Sequence, residues 1–400
     1  MTDNRQTSWA PFVLVALALA TGTMGATMAS PLYPLYERAW ALRHSTVTVI
    51  YVVYMVGVLA AFLFLGRLSD RIGPVPVLKA AGLLLLLGLL LSSIAPGPLV
   101  LGVGRVVIGI ASGLITSAAT LGLILLEPVR SRHAALVASV TTMAGFGLGP
   151  FLCGFVAQFA PAPLVAPYLA IIVPVGAVLA GLCTLRMIRP APVSASVSFK
   201  PHLGLPAPEV RPGFFVASLA VFTAYALFSL LASLAPSFLD SLIPLRGPAV
   251  SGTSVAAVLF CSALVQLPAR RLSVRGGLLI ALAFMGTGIV LLAVALRTAS
   301  GTMFVAADIS IGLGHGLAFM SGLRLLNRIA HEDQRSGILS TFLSIAYLGS
   351  ILPVIAVGYL ADWIGLVPAV VTFCLFFAVV CLLLFPLAKT TLEPQRLPQL

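Results

Sequence analysis

The stretch GRLSDRIG, residues 66–73, sits between two long apolar runs and gathers Arg67, Asp70 and Arg71 into a chain that is only 8% charged. A near copy, RRLSVRGG, stands at residues 270–277. Soluble globular proteins carry about 25% charged residues. A 400-residue chain that is 60% hydrophobic, with mean hydropathy +1.11, therefore has lipid as one of its solvents. The net charge of +12 forms neither a solvated basic face nor an aromatic-basic platform, so a nucleic-acid partner is excluded.

A hydrocarbon core of about 30 Å takes about 20 apolar residues per helix. Spans are predicted at 9–31, 46–65, 75–94, 99–125, 135–158, 167–186, 213–238, 252–267, 277–296, 302–326, 337–361 and 366–387. The apolar run that follows MTDNRQTS exceeds a signal-peptide core of about 7–15 residues and is read as a retained first span. Twelve spans place eighteen Lys and Arg on one side and four (Arg38, Arg43, Arg246, Arg297) on the other, with Arg105 inside a span. This segregation fits the positive-inside rule with both termini cytoplasmic. The charged turn at 66–73 is on the basic side. The cysteines, Cys153, Cys183, Cys261, Cys374 and Cys381, all lie in apolar runs without CxxC spacing and read as small core residues.

Residues 186–212 form the longest polar connection, with six prolines from Pro190 to Pro212. They divide the chain into an N-terminal six-helix bundle at 1–187, a cytoplasmic linker at 188–212 and a C-terminal six-helix bundle at 213–400. The two halves match one another. RLSDRIG aligns with RLSVRGG at an offset of 204, which sets Val274 opposite Asp70. RVVIGIASGL from Arg105 aligns with DISIGLGHGL from Asp308 at 203, and at the same offset Arg132 meets Arg335 and Pro150 meets Pro353. Parallel repeats related by an axis along the membrane normal characterise one large class of transporters.

On these residues the chain resembles the major facilitator superfamily over nearly its whole length. Gly66, Leu68, Ser69, Asp70, Arg71 and Gly73 match the family signature between spans two and three, although Pro74 and Val75 replace its trailing basic pair. Arg105 and Gly109 match an R-x-x-x-G pattern in span four. Gly145, Gly149, Pro150 and Gly154 are similar to the span-five motif of exporters that exchange substrate for protons, with Cys153 in place of a glycine. The resemblance implies an all-α membrane fold of twelve helices in two pseudo-symmetric six-helix bundles, and bacterial drug/proton antiporter-type export by alternating access. It also implies a cytoplasmic latch in which Asp70 reaches the start of span eleven near Ser336 and Gly337, with Glu127 bridging to Arg71.

The motifs also have a physical reading of their own. Helices in lipid are held by close packing, so Gly145, Gly149 and Gly154 predict a tight helix contact, and Pro150 a bend. Ionisable groups inside spans are costly and usually functional. Asp308, Arg105 and His315 are therefore the candidate proton-coupling and cavity residues, with Arg105 and Asp308 at similar depth in opposite halves. Glu37, Asp240 and Asp362 lie near external ends and read as solvated. Thr21, Thr23, Tyr33, Tyr36, Thr116, Tyr225 and Gln266 are the polar candidates for contact with substrate. A pocket with so few fixed charges suits a neutral or amphipathic organic molecule.

The expected partners are a small-molecule substrate, protons and the lipid bilayer. The expected site is the bacterial inner membrane, with the protein as a monomer. There is no Walker loop, no HExxH and no Ser-His set, so no cofactor, no metal and no enzyme activity are expected. An importer or uniporter of a sugar or other metabolite on the same fold is the alternative.

Overall fold

The computed structural model describes residues 9–66, 68–126, 134–185, 203–242, 246–331 and 334–392. Among the described residues, twelve helices are long and apolar enough to cross a membrane. In the first half they are α1 (Trp9–Thr27), α2 (His44–Ala60), α3 (Pro74–Ser93), α4 (Pro98–Leu126), α5 (Ala134–Phe159) and α6 (Ala166–Thr184). In the second they are α7 (Arg211–Ser233), α8 (Pro248–Gln266), α9 (Val274–Thr298), α10 (Gly301–Ile329), α11 (Arg335–Ile364) and α12 (Leu366–Thr391). Only a helix satisfies all of its own backbone polar groups while it crosses lipid, so the long apolar runs have one outcome. We call the end where α1 begins and α12 finishes the basic end, and the opposite one the far end.

Two predicted spans are interrupted at the far end. α1 stops at Thr27 and continues through a short 3₁₀ turn, Ser30–Leu32, into a separate helix, Tyr33–Trp40. α7 breaks at Leu234 before the short helix Ala235–Leu242. Span eight is longer than expected, starting at Pro248 rather than 252. A proline in the first turn lacks only an N–H that would be unpaired there, so it favours such a start.

The repeat is real, but its register shifts along the chain. A Cβ built on Gly109 would meet the Tyr54 carbonyl, and one on Gly312 would meet the Val258 carbonyl. Tyr54 and Val258 are 204 positions apart. Gly88 packs on Ile108 N and Gly104 O, and Gly288 packs on Ile311 N and Ala307 O. Those glycines are 200 positions apart. The intervening turn is therefore four residues shorter in the second half. Gly73, at a positive φ of 89°, ends the first turn immediately before Pro74 opens α3. Ser273 does so in the second half, where its hydroxyl accepts from Gly276 N–H at 3.0 Å. This corrects the alignment of the two charged stretches. Val274 is the first residue of α9 and lies opposite Pro74, whereas Asp70 belongs to a short α-helix, Leu68–Ile72, where the second half has the 3₁₀ turn Pro268–Arg271. Another offset changes too. Gly154 and Gly358 make equivalent contacts 204 residues apart, so Pro150 lies opposite Val354 and Pro353 is one residue out of register.

The glycines of α5 serve two neighbours. Gly145 and Gly149 face α1, where added Cβ atoms would fall on the carbonyls of Ala20 and Met24. Thr27 Oγ1 donates to the Phe146 carbonyl at 2.8 Å in the same seam. Gly154 instead faces the other half, with its Cβ position 3.2 Å from Gly252 Cα of α8. Gly149→Leu is expected to lower the melting temperature and monodispersity of the purified protein, because overpacking costs about 1–3 kcal/mol or more. Gly176→Leu, where nothing lies within 4 Å, is expected to change neither. Equal tolerance, measured by thermal unfolding of both variants, would refute the close packing.

Candidate functional site

Arg105 and Asp308 occupy matching places in α4 and α10, each seven residues from the far-end start of its helix. Both are buried, at 2% exposure, yet they do not meet. The Arg105 guanidinium donates to the Ala26 carbonyl of α1 at 3.1 Å and lies 4.6 Å from the centre of the Tyr54 ring on α2. It ties three helices of the first half together. Asp308 accepts from the Ser254 hydroxyl of α8 at 2.5 Å, and its other carboxylate oxygen has no partner. Two oxygens with one donor make Asp308 an incompletely satisfied acid, a rare condition for a buried polar group.

His315 lies two turns further along α10. Its Nδ1 is 2.9 Å from the Ser262 hydroxyl of α8. Its ring stacks on Tyr225 of α7 at 5.3 Å and tilts against Phe228 at 5.7 Å. Tyr225 also meets Tyr347 of α11 edge-on, and Tyr347 touches Phe62, just beyond α2, at 6.0 Å. The Tyr51 hydroxyl of α2 bonds the Ser229 hydroxyl of α7 at 3.0 Å. An aromatic seam thus joins the two halves in the middle of the molecule, with His315 and Tyr225 at its centre.

The other polar candidates divide. Tyr33 is buried near Arg105 with an unpartnered hydroxyl. Tyr36 bonds the Tyr168 hydroxyl at 2.9 Å within the first half. Thr21, Thr23 and Thr116 turn their hydroxyls back onto carbonyls of their own helices, as helical Thr commonly does. Gln266 lines a cavity of about 490 Å³ between α5, α8 and α10 that faces the basic end.

At the far end the halves meet through Glu37, which is largely covered, and through Asp362 and Gln158, which stay exposed. Glu37 accepts from Ser237 of the second half at 2.7 Å and is 2.7 Å from His44 Nδ1. Asp362 at the end of α11 accepts from the Ser45 backbone N–H at 3.4 Å, at the start of α2. Gln158 at the end of α5 accepts from the Ala249 N–H at 3.5 Å, at the start of α8. The two contacts are copies: 158 and 362 differ by 204, as do 45 and 249. Each is a side-chain oxygen of one half capping a helix of the other, where free N–H groups and the helix dipole favour a negative end. The repeat register could have exposed this pair, since both members of each contact share one offset. Asp240's side chain lies outside the described residues.

Among the described residues, no hydrogen bond or ion pair reaches the Asp70 carboxylate, the expected latch. The first turn of α11, its expected target, instead packs against Gly204, whose backbone N–H bonds the Thr341 hydroxyl at 3.1 Å. Gly66 caps the helical segment Ala61–Leu65 in a right-handed conformation, and the Glu127 assignment lies outside the described residues. Replacing both Asp362 and Gln158 with Ala is expected to loosen the far end. In a cysteine-free background, Ser229→Cys should then react roughly tenfold faster with an impermeant maleimide applied from the far side. An unchanged rate would show that the caps do not hold the closure.

The family profile described as Major Facilitator Superfamily matches residues 15–275. A comparison with curated protein sequences returns no match. Among solved structures, the nucleoside transporter NupG is similar at TM-score 0.74 and 13% identity, covering 96% of this chain and 100% of its own. A peptide transporter of the POT type is similar at 0.76 and 15%, covering 97% and 96%. A bacterial homologue of the human lysosomal transporter Spinster, inward-facing and occupied, is similar at 0.72 and 14%, covering 97% and 98%. At these identities the likeness is one of fold. With the family profile spanning well over half of its length, the chain belongs to the major facilitator superfamily and is a secondary transporter, not an enzyme.

Proposed function

We propose that the protein exports small organic molecules in exchange for protons, and that Asp308 carries the coupling proton. Asp308 supplies the main support: a carboxylate buried within a span, bonded by Ser254 alone and with one oxygen unpaired. An acid at that depth is a functional group by default. Its place beside α8, at the closed far end, lets a rocking motion of the halves change its hydration, which is how one proton is taken up and released per cycle. The α5 motif Gly145, Gly149, Pro150 and Gly154 supports exchange over uptake, through its resemblance to exporters.

Arg105 positions α1 and α2 rather than pairing with Asp308. His315, clamped by Ser262 and stacked on Tyr225, stands where the aromatic seam would meet a substrate, with Gln266 bonded to the Ser262 carbonyl and Tyr33 edge-on to Tyr51. Asp70, with Arg71, Gly66, Gly73 and Glu127, would latch the basic end in the opposite state, when the caps at the far end have parted.

The positive-inside rule makes the basic end cytoplasmic, so the observed state faces inward in a bacterial inner membrane. The units are 1–187 and 213–400, joined by a cytoplasmic linker at 188–212, in a monomeric protein. Reporter fusions after residues 200 and 395 are expected to signal cytoplasm, and an external signal from either would reverse the orientation. In proteoliposomes, Asp308→Asn is expected to lose gradient-driven accumulation of substrate, with at least a tenfold fall, while gradient-free exchange persists. Unchanged gradient-driven transport by that variant would remove Asp308 from the coupling step.

A further inference from the structure

The cavity of about 490 Å³ at the basic end has a chemistry of its own. Met143 of α5, Phe260 of α8 and Met320 of α10 form its apolar walls. Phe260 closes the inner end against α5, where a Cβ on Gly147 would strike its ring. The rim is apolar and open: Val140 is 56% exposed and Leu264 64%. The volume lies in the range that accepts a drug-sized ligand, and methionine walls adapt to many shapes.

The outer end of the cavity is cationic. Arg270 and Arg324 both line it. Arg324 is fixed by hydrogen bonds to the carbonyls of Ala269 (3.3 Å), Leu272 (3.0 Å) and Arg270. No carboxylate among the described residues forms an ion pair with either arginine. Arg324 is half-buried and Arg270 exposed; two positive charges beside an apolar pocket, without an acidic partner among the described residues, favour a ligand that brings its own negative charge. A cation would be repelled, and a polyhydroxylated ligand would meet only Ser139 and Gln266 as uncharged polar side chains in the lining.

We infer that this cleft is an entry site for the substrate, and that the substrate is an amphipathic organic anion, with a single-chain or aromatic apolar body and one acidic head group. The body lies between Met143, Phe260 and Met320, and the head rests on Arg270 and Arg324. The open rim between α5 and α8 admits the ligand from the lipid leaflet at the basic end. This deepens the export reading and rests on it for the word substrate, but binding at the cleft is measured independently of coupling.

The test uses the full-length protein in nanodiscs of phosphatidylcholine, with empty discs subtracted. Dodecanoate at pH 8 is expected to bind saturably, and dodecyltrimethylammonium to bind at least tenfold more weakly. Arg270→Gln should weaken dodecanoate roughly tenfold, and Arg270→Lys should restore most of the loss. Met143→Trp fills the cleft and should abolish binding with the melting temperature unchanged. Equal affinity for the anion and the cation, or indifference to Arg270→Gln, overturns the assignment. Loss of dodecanoate binding when phosphatidylglycerol replaces phosphatidylcholine would assign the cleft to a bilayer lipid and overturn the single-chain substrate. If Asp308→Asn keeps gradient-driven transport while dodecanoate still binds as stated, the coupling assignment fails and the cleft stands.

Discussion

Close approach of one helix backbone to another is the constraint on which the rest of this structure depends. Lipid removes the hydrophobic drive that packs soluble helices, so contact at van der Waals distance has to do the holding. The contacts fall where a side chain is missing: Gly109 on Tyr54, Gly312 on Val258, Gly154 on Gly252. Those approaches fix how near α4 lies to α2, α10 to α8, and α5 to α8. Side-chain chemistry follows from these spacings. Ser254 reaches Asp308, and Ser262 reaches His315, because Gly312 and Gly316 bring α10 down onto α8. The same logic places the Arg105 guanidinium on the Ala26 carbonyl.

The two halves share this skeleton and differ in charge. Arg105 and Asp308 stand at one repeat position but are a base and an acid with different neighbours. Asp362 and Gln158 are equivalent caps, one ionic and one neutral. The first basic turn contains a short α-helix bearing Asp70, and the second, four residues shorter, has a 3₁₀ turn, Pro268–Arg271, with no acid. In the proposed mechanism this duplicated scaffold would let the halves rock about a shared skeleton while the coupling proton engages Asp308 of the second half.

Much of this was legible in the sequence, and the limits have physical causes. Twelve spans, two halves and the α5 glycine face follow from run length, charge segregation and small-residue spacing. The short helix Tyr33–Trp40 and the break at Leu234 were hidden, because an apolar run looks continuous whether or not its helix bends. Matching RLSDRIG to RLSVRGG by residue identity hid the shortened turn, since letters align where backbones do not. Asp308 and His315 were marked as ionisable groups inside a span, but their partners Ser254 and Ser262 are ordinary serines with no signal of their own. Glu37 was misplaced in solvent because nothing local to it shows that the opposite half closes over it, whereas Asp362 is exposed as expected and only its capping bond to Ser45 was unforeseen. Tyr36, Thr21, Thr23 and Thr116 looked available for substrate until their hydroxyl partners were seen.

Alternation between the two ends is the central requirement of the mechanism, and inter-label distances test it most directly. One spin-label pair would bridge the far ends of α2 and α11, another the basic ends of α5 and α8, both read by pulsed dipolar spectroscopy as pH is varied. Alternating access driven by Asp308 requires the far pair to lengthen as the basic pair shortens, and requires Asp308→Asn to remove that response. Distances that stay fixed or lengthen together, or an unaltered response in Asp308→Asn, would contradict it.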